Sequence, residues 1–219
     1  MLALAAAGAA EGDWLIADRQ TAGRGRMGRD WESPAGNLYA SGLVRLRPGD
    51  PNAATLALVT AVALHDTVSI WAPNTQLKWP NDVLSSSGAK LSGILLERAG
   101  DAVVIGLGVN LTHHPENLDR PVTSIAALGF GVSEPVMVLE TFAEAFDSWL
   151  ARWRGESLAD IRAAWLARAH PIGTALTANL PDGESIDGLF DGLTDACGLR
   201  LRLADGVVRV IHAGDIFLI

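Results

Sequence analysis

Lysine, arginine, asparagine and aspartate crowd into three short blocks of this chain. The first, Gly23-Arg-Gly-Arg-Met-Gly28-Arg29, holds three arginines in seven residues and the spacing G-x-G-x-x-G. The second is Lys78-Trp-Pro-Asn-Asp82, and the third opens on Lys90 ahead of the run Leu-Ser-Gly-Ile-Leu-Leu. Permanent guanidinium charge beside glycines that admit close backbone approach suits the holding of an anion. A solvated surface turn and a loop that orders over an anionic ligand compete for the first block. Three arginines so close repel one another, which favours the ligand.

A dinucleotide-binding turn would need a strand before the glycines, a helix opening on the third glycine and an acidic residue about 20 residues on. Trp14 to Ala17 supplies a short buried strand. The following segment, Asp30 to Gly36, contains Pro34 and Gly36 and has no helical periodicity, and Pro48 to Pro51 reads as a turn. With no helix there is no helix N-terminus for a phosphate, and the dinucleotide reading fails. In the second block, Asn81 and Asp82 follow a strand that ends at a proline, a common place for functional polar groups and equally for an ordinary turn. Lys90 suits a solvated strand end as well as a site. Gly93, Gly106 and Gly108 interrupt strand interiors, where glycine weakens a sheet unless a ligand or backbone must come close. Asn110 ends the last of these strands.

The elements that must position these blocks follow from periodicity. An Ala-rich helix ends near Gly8 or Gly12, and a polar, Gly-rich loop runs from Arg19 to Gly36. Asn37 to Leu46 alternates as a strand, Asn52 to Asp66 is apolar on nearly every face and predicts a buried helix, and Thr75 to Trp79 is a short strand. Lys90 to Arg98 and Ala102 to Val109 form a hairpin around Ala99-Gly-Asp101. Ser133 to Trp153 predicts a helix capped by Ser133, with Pro135 in its first turn and Leu139, Phe142, Phe146, Trp149 and Trp153 on its core face. Leu158, Ile161, Trp165 and Ala169 mark a second helix. From Ile172 to Ile219 short apolar runs alternate with Asp-Gly turns, the pattern of a small β-barrel or sandwich.

Composition narrows the class. The 219 residues are 49% hydrophobic and 19% charged, which is globular, and the net charge of −8 gives nucleic-acid binding little support. The single Cys197 forms no internal disulfide and suits a reducing cytoplasm. No Lys or Arg precedes the apolar N-terminal run, so it is not read as a signal peptide, and no window approaches the roughly 20 apolar residues of a membrane span. His113 and His114 lack further ligands in sequence and are read as loop residues.

Four blocks stand here in the order and spacing of biotin protein ligases: Gln20-Thr-Ala-Gly-Arg-Gly-Arg-Met-Gly-Arg29, Lys78-Trp-Pro-Asn-Asp82, Lys90-Leu-Ser-Gly-Ile-Leu-Leu-Glu97 and Ile105-Gly-Leu-Gly-Val-Asn110. The chain resembles that family over nearly its whole length, and Gly214 to Ile219 looks like the last strand of the family's small C-terminal domain. The resemblance implies an α+β fold: a class II aminoacyl-tRNA-synthetase-like catalytic domain of mixed sheet and helices over residues 1–170, and an SH3-like β-barrel over 171–219. It implies a cytoplasmic enzyme that activates biotin with MgATP to biotinyl-5'-AMP and pyrophosphate. The biotinyl group then passes to one lysine of a biotin carboxyl carrier protein, such as the carrier subunit of acetyl-CoA carboxylase.

By the same resemblance, Gln20, Gly23, Arg24, Gly25, Arg26, Lys90, Gly93 and Leu95 bind biotin. Gln20 and the backbone around Arg24 face its ureido edge. Arg26, Arg29, Trp31, Lys78, Asn81 and Asn110 bind ATP and the adenylate, with Trp31 against the adenine. Lys90 bridges the biotin carboxylate and the α-phosphate, and Arg26 holds the adenylate phosphate once the loop closes. The attacking lysine, with an unperturbed pKa of ~10.4, is scarce as the neutral amine near pH 7, and Asp82 is the candidate for orienting or deprotonating it, with Mg²⁺ association as the rival role. Family members carry a Ser-Thr-Asn segment near the start of the first helix that helps to hold the ureido group. Met1 falls inside that helix here, so the true start lies upstream, the chain is shortened or the pocket is incomplete. Neither operator DNA nor a membrane is an expected partner, and pairing into a homodimer through the central sheet stays open. A lipoate ligase, which shares the fold and the adenylation logic, and a catalytically impaired biotin-binding module are the alternatives.

Overall fold

The computed structural model describes residues 1–219 except Asn117 and Asp119. Six strands, β1 (Trp14–Ile16), β2 (Leu38–Arg45), β3 (Gln76–Lys78), β4 (Asp82–Leu84), β5 (Lys90–Ala99) and β6 (Ala102–Val109), form one sheet in the order β1-β2-β6-β5-β4-β3. Every pairing between these strands is antiparallel, and among the described residues parallel contact enters through the isolated bridges Leu77–Ala169 and Lys90–Val122. The expected hairpin is present: Ala99 faces Ala102, and Gly100 takes a φ of +62° in the turn.

Helix α1 (Leu2–Ala6) is short, whereas α2 (Leu56–Trp71) and α3 (Pro135–Gly155) pack on the sheet and α4 (Leu158–Leu166) packs against those two helices. α2 is apolar almost all round because it lies inside the core, and its N-terminal extension is a short 3₁₀ turn, Ala53–Thr55. The stretch Ala53–Trp71 is long and apolar enough to cross a membrane, which corrects the expectation that no window comes close, but 67% of it is buried inside the fold. The expected aromatic stripe of α3 is buried throughout. Trp14 meets Phe142 and Phe146 edge-on with ring centroids 5.2 and 5.7 Å apart, and the Trp153 indole donates to Thr55 Oγ1 at 2.7 Å.

Four local expectations differ from the structure. β1 is an edge strand whose Leu15 and Ile16 remain exposed; only Trp14 packs inward, over Gly42, where any β-carbon would fall within 2.7 Å of the indole. The residue that starts α3 is Glu134, with no side-chain cap, and not Ser133. α2 continues past Asp66 to Trp71, and α4 stops at Leu166, leaving Ala169 to bridge Leu77.

The chain then builds a second antiparallel sheet from β7 (Ala175–Asn179), β8 (Ser185–Leu193), β9 (Leu199–Arg202), β10 (Val208–Ile211) and β11 (Asp215–Leu218), in the order β10-β9-β8-β7-β11. Phe190, Leu176, Leu201 and Ile216 fill its interior and join the same buried cluster as the main core. Trp165 of α4 and His170 both meet the Phe190 ring, at 6.5 and 4.5 Å, so packing is continuous across the connection. The Trp79 indole adds a hydrogen bond to the Cys197 carbonyl at 3.0 Å. These contacts fix β11 against the region that holds Lys78.

Candidate active site

The three arginines of the glycine-rich loop diverge to three different partners, which relieves their mutual repulsion. A 3₁₀ turn at Arg26–Gly28, with Met27 at φ +57° and Gly28 at φ +72°, reverses the chain between Arg24 and Arg29. Gly25 N–H donates to the Arg29 carbonyl at 2.7 Å and closes the turn. Arg24 points out to Glu97 at 3.3 Å with 64% of its side chain exposed. Arg26 turns inward and donates weakly, at 3.4 Å each, to Asn81 Oδ1 and the Gly214 carbonyl. Burial lowers the Arg26 pKa, against the opposing pull of Asp215 and Asp82. Arg29 pairs with Asp215 at 2.8 Å. Gly23 is buried under the loop, where a β-carbon would lie 2.3 Å from the Trp31 carbonyl.

Strand register sets the second group. Asp82 faces Gly93 across β4 and β5, and Gly93 faces Gly108 across β5 and β6. Asp82 is the first residue of β4, a strand too short for its periodicity to show in the sequence. Its carboxylate lies between two ammonium groups, 2.9 Å from Lys78 and 2.5 Å from Lys90. Burial alone would raise the Asp82 pKa, but the charges of Lys90 and Lys78 hold it at about 2. Burial lowers the Lys90 pKa against the pull of Asp82, and the neighbouring charges of Lys78 and Arg120 lower it further. One anion thus serves two cations, and the surplus is positive.

The paired glycines are a platform for Trp31. A β-carbon on Gly108 would sit 2.8 Å from the indole and one on Gly93 3.2 Å from it. The ring also lies 5.3 Å from the Lys90 ammonium, a cation–π approach. What rests on Gly93 is therefore the chain's own Lys90 side chain, whose Nζ would lie 3.1 Å from a β-carbon there, together with the tryptophan, and Gly106, which meets only Leu95, is left as open floor.

These groups surround a cavity of about 380 Å³. Gln20, Arg24, Gly25, Arg26, Arg29, Trp31, Lys78, Asn81, Asp82, Lys90, Gly93 and Leu95 line it. Gly23 and Asn110 do not. The Asn110 amide is buried and donates to the Thr123 carbonyl at 3.0 Å, so it pins a loop instead of facing the cavity. That loop runs alongside Lys90, whose backbone bonds Pro121 and Thr123, and this brings Arg120 to the wall. Arg120 escapes a reading of the sequence because no motif surrounds it, and Asp215 sits in the last-strand segment Gly214–Ile219 with nothing there to mark it as a site residue; both arrive through tertiary contacts.

Six cationic side chains (Arg24, Arg26, Arg29, Lys78, Lys90, Arg120) and four carboxylates (Asp30, Asp82, Glu97, Asp215) line the cavity, so an anionic guest meets net positive charge. The lining also includes Leu95 and Gly106 and touches Ala40, Ile94 and Leu107, which belong to the buried core. Among the described residues no group of three or more His, Cys, Asp or Glu side chains could hold a metal ion. Both Asp82 oxygens already face ammonium groups, so a metal there would have to displace one of them.

Comparison with known proteins agrees with this arrangement. Residues 5–110 match the biotin/lipoate A/B protein ligase family, and residues 172–219 match the biotin protein ligase C-terminal domain. The chain is 39% identical over 218 residues to a biotin–[acetyl-CoA-carboxylase] ligase of Paracoccus denitrificans, covering 93% of this chain and 89% of that protein. It is 36% identical over 223 residues to the Mycobacterium tuberculosis protein of the same name, covering 99% and 83%. A biotin protein ligase from Aquifex aeolicus, solved in complex with biotin and ATP, superposes with a TM-score of 0.83 at 27% identity over 97% of this chain and 90% of that one.

Proposed function

This chain belongs to the biotin protein ligase family, and we propose that its cavity joins biotin to AMP and passes the biotinyl group to a lysine of a biotin carboxyl carrier protein. One observation carries the reading: one cavity is lined both by the cations Arg26, Arg29, Lys78, Lys90 and Arg120 and by the apolar stretch around Gly106 and Leu95. Biotin has the matching halves, an apolar bicycle and an anionic carboxylate tail.

In the first step a biotin carboxylate oxygen attacks the α-phosphorus of ATP, and the bond to pyrophosphate breaks. Two anions must approach, so the surplus charge around Asp82 is what the step needs. Lys90 bridges the carboxylate and the α-phosphate, and Arg26 holds the phosphate of the adenylate. A preorganised cation at such a centre is commonly worth ~10²–10³ in rate. Mg²⁺ enters with ATP as part of the co-substrate. In the second step the carrier amine attacks the anhydride carbonyl, an amide forms, and AMP leaves as the amine loses its proton.

Asp82 serves the first step in this reading. A carboxylate that ionises at about 2 is a poor acceptor for an ammonium proton with a pKa of ~10.4. Its part is to hold Lys90 at the cavity wall, in place of the base or metal-ligand roles that the resemblance left open. Asn81 anchors Arg26, and Trp31 forms a wall between the two substrate halves. The division into a catalytic domain over 1–170 and a C-terminal domain over 171–219 is part of the proposal, as is a reducing, cytoplasmic place of work, supported by the free Cys197.

Incubation with biotin, MgATP and an apo carrier domain tests the reading. One biotinyl group should appear on the carrier by mass spectrometry, and an unmodified carrier under conditions where a known ligase labels it would refute the proposal.

A further inference from the structure

Three consecutive residues at the start of the last strand each engage a different cation of the catalytic half. The Gly214 carbonyl accepts from Arg26 at 3.4 Å, the Asp215 carboxylate pairs with Arg29 at 2.8 Å, and the Ile216 carbonyl accepts from Lys78 at 2.8 Å. Phe217 follows, with its ring 6.0 Å from the Lys78 ammonium. Arg26, Arg29, Lys78, Asp215, Ile216 and Phe217 all line the cavity. Only one of the three cation-binding groups from the small sheet is ionised, and it reaches the glycine-rich loop.

From this geometry we infer that Asp215 is a positioning residue: it latches the arginine loop to the small sheet and so presents Arg26 and Arg29 to the nucleotide phosphates. Its grip on Arg29 uses one carboxylate oxygen and the guanidinium Nη2, which leaves Nη1 of the fork for a ligand. Arg29 Nε also donates to the Arg26 carbonyl at 3.3 Å, so holding Arg29 holds the turn that carries Arg26. The Asp215 charge in addition favours the charged form of the partly buried Arg26. The conformation of the loop is therefore tied to the small sheet by one ion pair, with the weaker Arg26–Gly214 hydrogen bond beside it.

The catalytic consequence rests on the proposed function, but the latch does not, and two measurements separate them. The first is limited trypsin digestion of the full chain without ligands, read by mass spectrometry at the bonds after Arg24 and Arg26. Asp215→Ala should be cut there about three- to fivefold faster than the parent, the scale of one lost partly exposed ion pair, and Asp215→Glu should return close to the parental rate. The second is steady-state kinetics of adenylation: in Asp215→Ala the KM for ATP should rise about three- to fivefold while the KM for biotin stays within about twofold.

Unchanged cleavage in Asp215→Ala, or failure of Asp215→Glu to restore protection, overturns the latch. A lowered KM for ATP overturns it too, since the carboxylate would then be a competitor of phosphate. Equal rises in both KM values together with a fall in Tm would reduce Asp215 to a structural contact. If the parent protein shows no adenylation at all, the proposed function falls and digestion alone decides the latch.

Discussion

Asp66 on α2 and Asp82 at the start of β4 have carboxyl groups held at a pKa of about 2, and in both cases neighbouring donors outweigh the cost of burial. Their surroundings differ in charge balance. Asp66 takes Arg168 through both oxygens, at 2.7 and 3.2 Å, and the Trp149 indole at 3.0 Å. It is a paired knot that ties α2 to α3 and to the turn after α4, and it lies outside the cavity. Asp82 instead divides itself between two lysines, with Arg120 near and the cavity in front. A depressed carboxyl pKa marks an ion cluster; unbalanced charge facing a cavity marks a site.

Replacing each aspartate by asparagine should break the comparison in opposite ways. Asp82→Asn leaves Lys90 without its anchor and should slow adenylate formation by ~10² or more, the scale of a misplaced transition-state cation. Normal adenylation with slow transfer to the carrier, followed in single-turnover experiments, would instead return the carboxylate to the role of base. Acid comes next and acts on the two carboxylates alike, because both are held at about 2. A group whose folded pKa lies below its unfolded value stabilises the fold above the unfolded value, and the contribution fades as pH falls through the folded one. For Asp82, with a fall from 3.8 to about 2, that window is roughly pH 4 to 2, and the loss is on the order of 2 kcal/mol. Chemical denaturation at stepped pH should show stability declining across this window. The smallest effect is that of Asp66→Asn, which should lower stability by about 1–2 kcal/mol through the weakened Arg168 and Trp149 bonds and leave both KM values unchanged. A changed KM for ATP would erase the distinction between knot and site.

Much of this was legible in the residues. The β5–β6 hairpin announces itself by two apolar runs around Gly100, and the α3 stripe by its spacing. The failure of G-x-G-x-x-G as a dinucleotide turn follows from Pro34 and Gly36, and the extended chain after Arg29 agrees. β4, only three residues long, offers no period to detect, and the exposure of Leu15 and Ile16 follows from an edge position that composition does not reveal. Asn110 sits in a motif yet serves a neighbouring loop, whereas Arg120 sits in none and Asp215 in a segment read only as a strand, and both line the cavity. Glycines mislead in the same way: the room left by Gly108 is taken by Trp31 and that left by Gly93 by Lys90 and Trp31, and of the three only Gly106 opens to a guest. Spacing along the chain identifies which side chains carry charge, and strand register decides which of them meet.

The most direct test of the cationic wall is biotin-dependent exchange of labelled pyrophosphate into ATP, run beside calorimetric titration of biotin and of ATP. Label should enter ATP when biotin is present and stay out when biotin is omitted or replaced by lipoate. Binding of both biotin and ATP without any exchange would mean that the two anions share the cavity but are never joined there.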